Sequence, residues 1–119
     1  MSSPLKAADK KKIRSRTQAI RRAIDAMDYL SSGTLLSRTK VCGRPNCRCA
    51  TDPASRHGPY FEWNRRQGGR LVHKKLTEEQ AELAARAIAN LREVQRLLSH
   101  WEAATFEEIV ALEEPMKRR

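Results

Sequence analysis

The sequence predicts a small α+β protein, in which a three-stranded antiparallel sheet with a cysteine-rich loop is flanked by a basic N-terminal helix and a long C-terminal helix. Three observations carry this. Apolar residues recur at steps of three and four toward both ends of the chain, strand-like residues surround a Gly68-Gly69 turn in its middle, and three cysteines crowd into the stretch between. With 119 residues, 32% of them charged and 39% hydrophobic, the chain suits one compact domain, or a small core with a long helix at each end, and a core of this size commonly needs a staple.

Residues 1–7 read as a loose end. From Asp9 onward, Ile13, Thr17, Ile20, Ile24, Met27 and Leu30 form one helical stripe, with lysines and arginines on the other faces. Ser31-Ser32-Gly33 is expected to end that helix near Leu30, with glycine just past its C-terminus. Residues 34–41 read as a strand entering the cysteine loop, and residues 59–66 and 69–76 as a hairpin. Alternation puts Phe61, Trp63 and Arg65 on one face of that hairpin and Tyr60, Glu62 and Asn64 on the other, with Phe61 and Trp63 expected in the core.

Thr77-Glu78-Glu79-Gln80 is a capping box that opens a helix with a heptad seam at Ala84, Ala87, Leu91, Val94, Leu98 and Trp101, and Ile88 beside it. Thr105-x-x-Glu108 is a second box. It predicts a break near 102–105 and a short helix over 106–114, with Phe106, Ile109, Val110 and Leu112 inward and Pro115 ending it. The chain thus divides into a basic helix (1–32), a loop-and-hairpin module (33–76) and C-terminal helices (77–119). The seam at 84–101 is expected to pack on the N-terminal helix, and it also offers a face for a dimer or a partner.

Charge is spread unevenly. The net is +5 over residues 1–31, +8 over 32–76 and −3 over 77–119, within a total of +10. A basic front and an acidic rear point to a bound polyanion, which makes nucleic acid the expected partner. An anionic membrane fits less well, because the basic helix lacks a Trp/Phe/Leu-rich face. No apolar run is long enough to cross a bilayer and none resembles a signal peptide, so a cytoplasmic protein is expected, nucleoid-associated if it binds DNA.

The cysteines stand as C-x4-C-x-C at Cys42, Cys47 and Cys49, with His57 beyond them. Thiolates and an imidazole in this number suit a tetrahedral zinc ion, and Cys3His is a common structural set. Three clustered cysteines would leave one unpaired in a disulfide scheme, and they lie among Arg, Gly and Pro and not in apolar sequence. His57 leads as fourth ligand because it closes the same loop, with His73 on the second hairpin strand as the reserve. Four protein ligands would close the coordination sphere. The nearby acids are Asp52 and Glu62, too few for a hydrolytic cluster, so catalysis is not expected. A nucleobase deaminase would need an H-x-E and a P-C-x-x-C, whereas here Pro59 follows His57 by two and the cysteines read P-x-C-x-C.

Cys42-Gly43-Arg44-Pro45-Asn46-Cys47-Arg48-Cys49-Ala50, followed by His57-Gly58-Pro59-Tyr60, resembles an uncharacterised family of short bacterial proteins with a CGKPxCxCA…HGPYY core. These are often encoded beside transposase-type genes. The resemblance covers residues 33–100, with Arg44 in place of the usual Lys and Phe61 in place of a second Tyr. It implies a zinc-supported sheet and a link to mobile DNA, and it brings no established activity. The hairpin with its Thr-capped helix is also similar in pattern to the arm-binding domains of phage-type integrases, which lay a sheet in the major groove.

The residues expected to meet nucleic acid are Arg65, Arg66, Arg70, Lys74 and Lys75 on the hairpin and Arg38 and Lys40 on the first strand. With them are grouped Tyr60 as the outward aromatic, Arg44 and Arg48 beside the cysteines, and Lys10, Lys11, Lys12 and Arg14 on the N-terminal helix. The reading at this level is a zinc-stabilised accessory protein of a mobile element, binding DNA in preference to RNA. A non-enzymatic adaptor that docks on a transposase or recombinase is the alternative.

Overall fold

A computed structural model describes residues 7–112. The order is helix α1 (Ala7–Asp25), strand β1 (Thr34–Lys40), two 3-10 turns (Arg48–Ala50 and Pro53–Ser55), strands β2 (His57–Gln67) and β3 (Arg70–Leu76), and helix α2 (Glu78–Val110). The α+β class and the antiparallel sheet stand as the sequence predicts, with strand order β1-β2-β3. Ala7 is already helical, and the rest of the loose end expected over 1–7 lies outside the described residues, as does Pro115. Among the described residues, no helix is long and apolar enough to cross a membrane.

The chain forms two compact units. One combines the residues up to Asp28 with those from Arg92 onward; the other is Tyr29–Leu91. In the first, Ile13 and Ile20 on α1 and Leu97 and Ala104 on α2 are buried, and Arg16 pairs with Glu107 at 3.4 Å. The basic helix therefore keeps its apolar stripe inward and leaves Lys11, Lys12 and Arg14 exposed, with Lys10 half-buried.

α1 ends at Asp25, five residues before the predicted stop. Leu30, placed on the stripe by periodicity, is 56% exposed. The cause lies in the second unit, where the Ser31 amide donates to the Ala87 carbonyl (3.1 Å) and the Asn90 side chain donates to the Tyr29 carbonyl (2.7 Å). Partners on α2 replace helical ones and hold residues 29–31 outside the helix. Gly33 is then no helix cap. At φ +126° it enters β1 so close to Trp63 that an added Cβ would lie 2.5 Å from the indole nitrogen.

α2 runs unbroken through the predicted break. No Gly or Pro occurs between Gly69 and Pro115, so nothing interrupts the hydrogen-bond ladder, and the second capping box is spent inside the helix. Because the helix continues, its phase turns the apolar residues after the predicted break outward. At about 100° per residue, Phe106 lies about 200° around from buried Ala104. Phe106, Ile109, Val110 and Leu112, expected inward, are 70%, 60%, 53% and 58% exposed. Leu97 is buried where the seam predicted Leu98, since both fall one turn beyond Val94 and spacing cannot choose between them. The first capping box forms: Gln80 N–H donates to Thr77 Oγ1 (3.1 Å) and Thr77 N–H to Gln80 Oε1 (2.9 Å).

Candidate metal centre

The metal loop joins β1 to β2. Across those strands Leu35 faces Trp63, Ser37 faces Phe61 and Arg38 faces Tyr60, then the register slips before Lys40 meets His57. Gly58 makes the slip possible. At φ +120° it lies against the opposite strand, and a Cβ there would come within 2.8 Å of the Arg38 carbonyl oxygen and 2.9 Å of the Tyr60 nitrogen. The Gly58–Pro59 peptide bond is cis. The irregularity thus places His57 at the open end of the ladder, across from the strand that leads into Cys42.

Inside the loop, local turns deliver the other donors. The Cys47 amide donates to the Arg44 carbonyl (3.2 Å), closing a turn with Pro45 and Asn46 at its centre, positions these residue types favour. Cys47 then caps the 3-10 turn Arg48–Ala50, which carries Cys49 inward. Asp52 starts the next turn, accepting from the Ala54 amide (3.1 Å) and the Ser55 hydroxyl (3.0 Å).

The result is one cluster. The donor atoms of Cys42, Cys47, Cys49 and His57 all lie within 4.8 Å of one another. Cys47 Sγ is 3.3 Å from His57 Nε2, and Cys49 Sγ is 3.5 Å from Cys42 Sγ. Tetrahedral bonds of about 2.0–2.3 Å require donor separations of roughly 3.3–3.8 Å; the Cys47–His57 and Cys49–Cys42 separations fall in that range, and the four side chains together could hold a metal ion. His73 is not among them; it lies on β3 facing Asn64. Cys49 is 2% exposed, and its sulfur accepts the Cys42 amide at 3.3 Å, an amide-to-sulfur bond of the kind that offsets thiolate charge.

Without an ion the sulfurs would differ. Hydrogen bonds from the Cys49 backbone and from the Cys49 and Cys42 side chains hold the Cys47 thiol below its ordinary range. For Cys49 the largest influence is the Cys42 amide, which lowers it, but burial and the neighbouring sulfurs together push it up. Three crowded sulfurs cannot all ionise at low cost without a cation among them. With four protein donors such an ion would have no position left for water or substrate, the arrangement of a structural site.

The basic residues expected to meet nucleic acid are distributed by register. Arg38, Tyr60, Arg66 and Lys75 share one face of the sheet; Arg65, Arg70 and Lys74 share the other, with Phe61 and Trp63. Phe61 and Trp63 are half-buried, not core, and the Trp63 indole donates to the Ser32 carbonyl (3.2 Å). Arg65 sits over the Trp63 ring at 6.0 Å and donates to Gln67 Oε1 (2.9 Å), while Lys40 lies over the Tyr60 ring at 5.4 Å. Arg44 and Arg48 are exposed beside the sulfurs, and Lys10, Lys11, Lys12 and Arg14 belong to the other unit.

Sequence reading missed a polar chain across all three strands. Glu62 lies 3.8 Å from Arg38 on β1 and 3.5 Å from His73 on β3, and His73 Nδ1 meets Asn64 Oδ1. The signal was present, since a two-residue Gly68-Gly69 turn fixes which residues of β2 and β3 face one another.

The sequence profile of the family described as Domain of unknown function (DUF6788) matches residues 10–85, and the chain belongs to that family. No curated protein and no solved structure matches the chain.

Proposed function

Starting from a family whose role is undefined, we propose that this protein is a non-catalytic DNA-binding factor whose basic sheet is held in shape by one zinc ion. Zinc is the metal of choice for three thiolates and an imidazole in a closed tetrahedral set. The observation that carries the DNA reading is the charge balance of residues 32–76. They contain ten lysines and arginines against two acids, Asp52 and Glu62. Both acids are committed within the module, Asp52 to its 3-10 turn and Glu62 between Arg38 and His73. A Cys3His zinc site removes one further positive charge and leaves a rigid cationic surface, which phosphates would neutralise with release of counterions. The role in a mobile element rests on the motif resemblance alone.

An adaptor that docks on a transposase or recombinase is the second reading, favoured by the exposed Phe106, Ile109, Val110 and Leu112. The two readings separate on random-sequence duplex DNA at two salt concentrations. Alanine at Arg65, Arg66, Arg70, Lys74 and Lys75 together should weaken binding more than alanine at Lys10, Lys11, Lys12 and Arg14. The salt slope should fall by about one for each phosphate that the variant no longer neutralises. Unchanged binding by the hairpin variant at both salts would refute the DNA reading and favour the adaptor. Elemental analysis of the folded chain checks the metal, with one zinc per chain expected.

A further inference from the structure

The two faces of the sheet differ in what they have left to offer. One carries Leu35, Phe61, Trp63 and Leu76, all half-buried, with the Trp63 indole tied to the Ser32 carbonyl. Its Arg65 is held by Trp63 and Gln67. The other face carries a polar chain that crosses all three strands, with Leu36 opposite Glu62 and Leu71 opposite Arg66 beside it. Arg38, Glu62, His73 and Asn64 form one connected chain, with Lys75 opposite Glu62 and Arg66 next in line beyond Asn64.

Resting on the DNA-binding reading above, we propose that this second face is the one applied to the DNA major groove, and that Asn64 and His73 are its specificity-determining residues. Arg38, Arg66 and Lys75 take the flanking phosphates. Dimensions allow this for the β2–β3 ribbon that carries Asn64 and His73: two strands about 4.8 Å apart are what a major groove about 12 Å wide admits. Chemistry allows it as well. When His73 Nδ1–H donates to Asn64 Oδ1, the Asn64 amide keeps both N–H donors and one lone pair, and His73 Nε2 remains an acceptor. Base edges in the major groove present matching acceptors and donors. Glu62, 3.8 Å from Arg38, lies 3.5 Å from the same His73 Nδ1, so its charge favours the tautomer that carries the proton there, and the pair is oriented before it meets the bases. Glu62 and Arg38 are positioning residues for that pair.

The test uses the full metal-loaded chain and two double variants that each remove two cations. Arg66→Ala with Lys75→Ala alters the polar face; Arg65→Ala with Lys74→Ala alters the other. A preferred duplex is first selected by the parent from a randomised pool, and affinities for it and for a scrambled duplex are measured over a salt range. The polar-face pair is expected to lower the salt slope by about two and the opposite pair to leave it near the parent's. Asn64→Ala and His73→Ala are each expected to cut the preference for the selected duplex by roughly five- to a hundred-fold, with the slope unchanged. Metal content and the circular dichroism spectrum confirm that each variant is folded.

An equal or greater loss in the Arg65/Lys74 pair overturns the choice of face. A parent without sequence preference, or an Asn64→Ala variant that keeps it, overturns the role of Asn64 and His73. Tighter binding to duplex RNA, whose major groove is deep and narrow, overturns the groove assignment. A parent that binds no duplex at all defeats the DNA reading itself, a result distinct from the other three.

Discussion

Replacing Cys49 with serine should empty the metal site and melt the loop around it while leaving α2 folded. The loop over residues 42–56 has little else to hold it. Its backbone hydrogen bonds are six, each spanning three or four residues, and Cys49 is its one buried side chain. At about 1 kcal/mol net apiece, those bonds fall well short of the cost of ordering the segment, about 1–2 kcal/mol for each residue. A structural zinc contributes on the order of 10 kcal/mol or more, the largest single contribution toward that shortfall. A serine oxygen is a far poorer zinc ligand than a thiolate, and it loses the sulfur that accepts the Cys42 amide. Affinity, measured by competition with a chromophoric chelator, should drop more than about 100-fold, beyond what changes outside the ligand shell cost. Hydrogen exchange should then show residues 42–56 unprotected and residues 81–97 protected. A variant that keeps both its affinity and its loop protection would refute this reasoning. If His73→Ala released the metal and His57→Ala did not, the fourth donor would be the wrong histidine.

Two further substitutions test the frame around the site. Gly58→Ala forces a Cβ against the Arg38 carbonyl at a φ that side chains rarely adopt. It should cost about 1–3 kcal/mol in urea unfolding and weaken metal binding with it, because the bulge positions His57. Thr77→Ala removes the acceptor for the Gln80 amide and should cost about 1 kcal/mol by the same assay, without changing metal affinity.

The site was legible in the sequence because its donors are close along the chain. C-x4-C-x-C and His57 fall within one loop, and local turns at Pro45-Asn46 and Asp52 bring them together with no need of distant packing. The hairpin and the Thr77 cap were legible for the same reason. What escaped was set at long range. α1 was expected to reach Leu30, and only the bonds from Ser31 and Asn90 between residues 29–31 and α2 explain its earlier end. The false break near 102–105 came from a capping box that competes with an uninterrupted ladder and loses, since cap residues end a helix only where something else prevents its continuation. Once the helix continues, its phase turns Phe106 and Ile109 outward. The polar chain from Arg38 to Asn64 required three strands in register, which alternation within one strand cannot show.

That a metal-held basic sheet binds DNA is tested most directly by the affinity of the full chain for a random-sequence duplex, with and without a strong chelator, over a range of salt. Binding by the metal-loaded chain should weaken steeply with salt and largely disappear on chelation, because a molten loop no longer aligns β1 with β2. Equal binding by the loaded and chelated chains, or binding indifferent to salt, would contradict the claim.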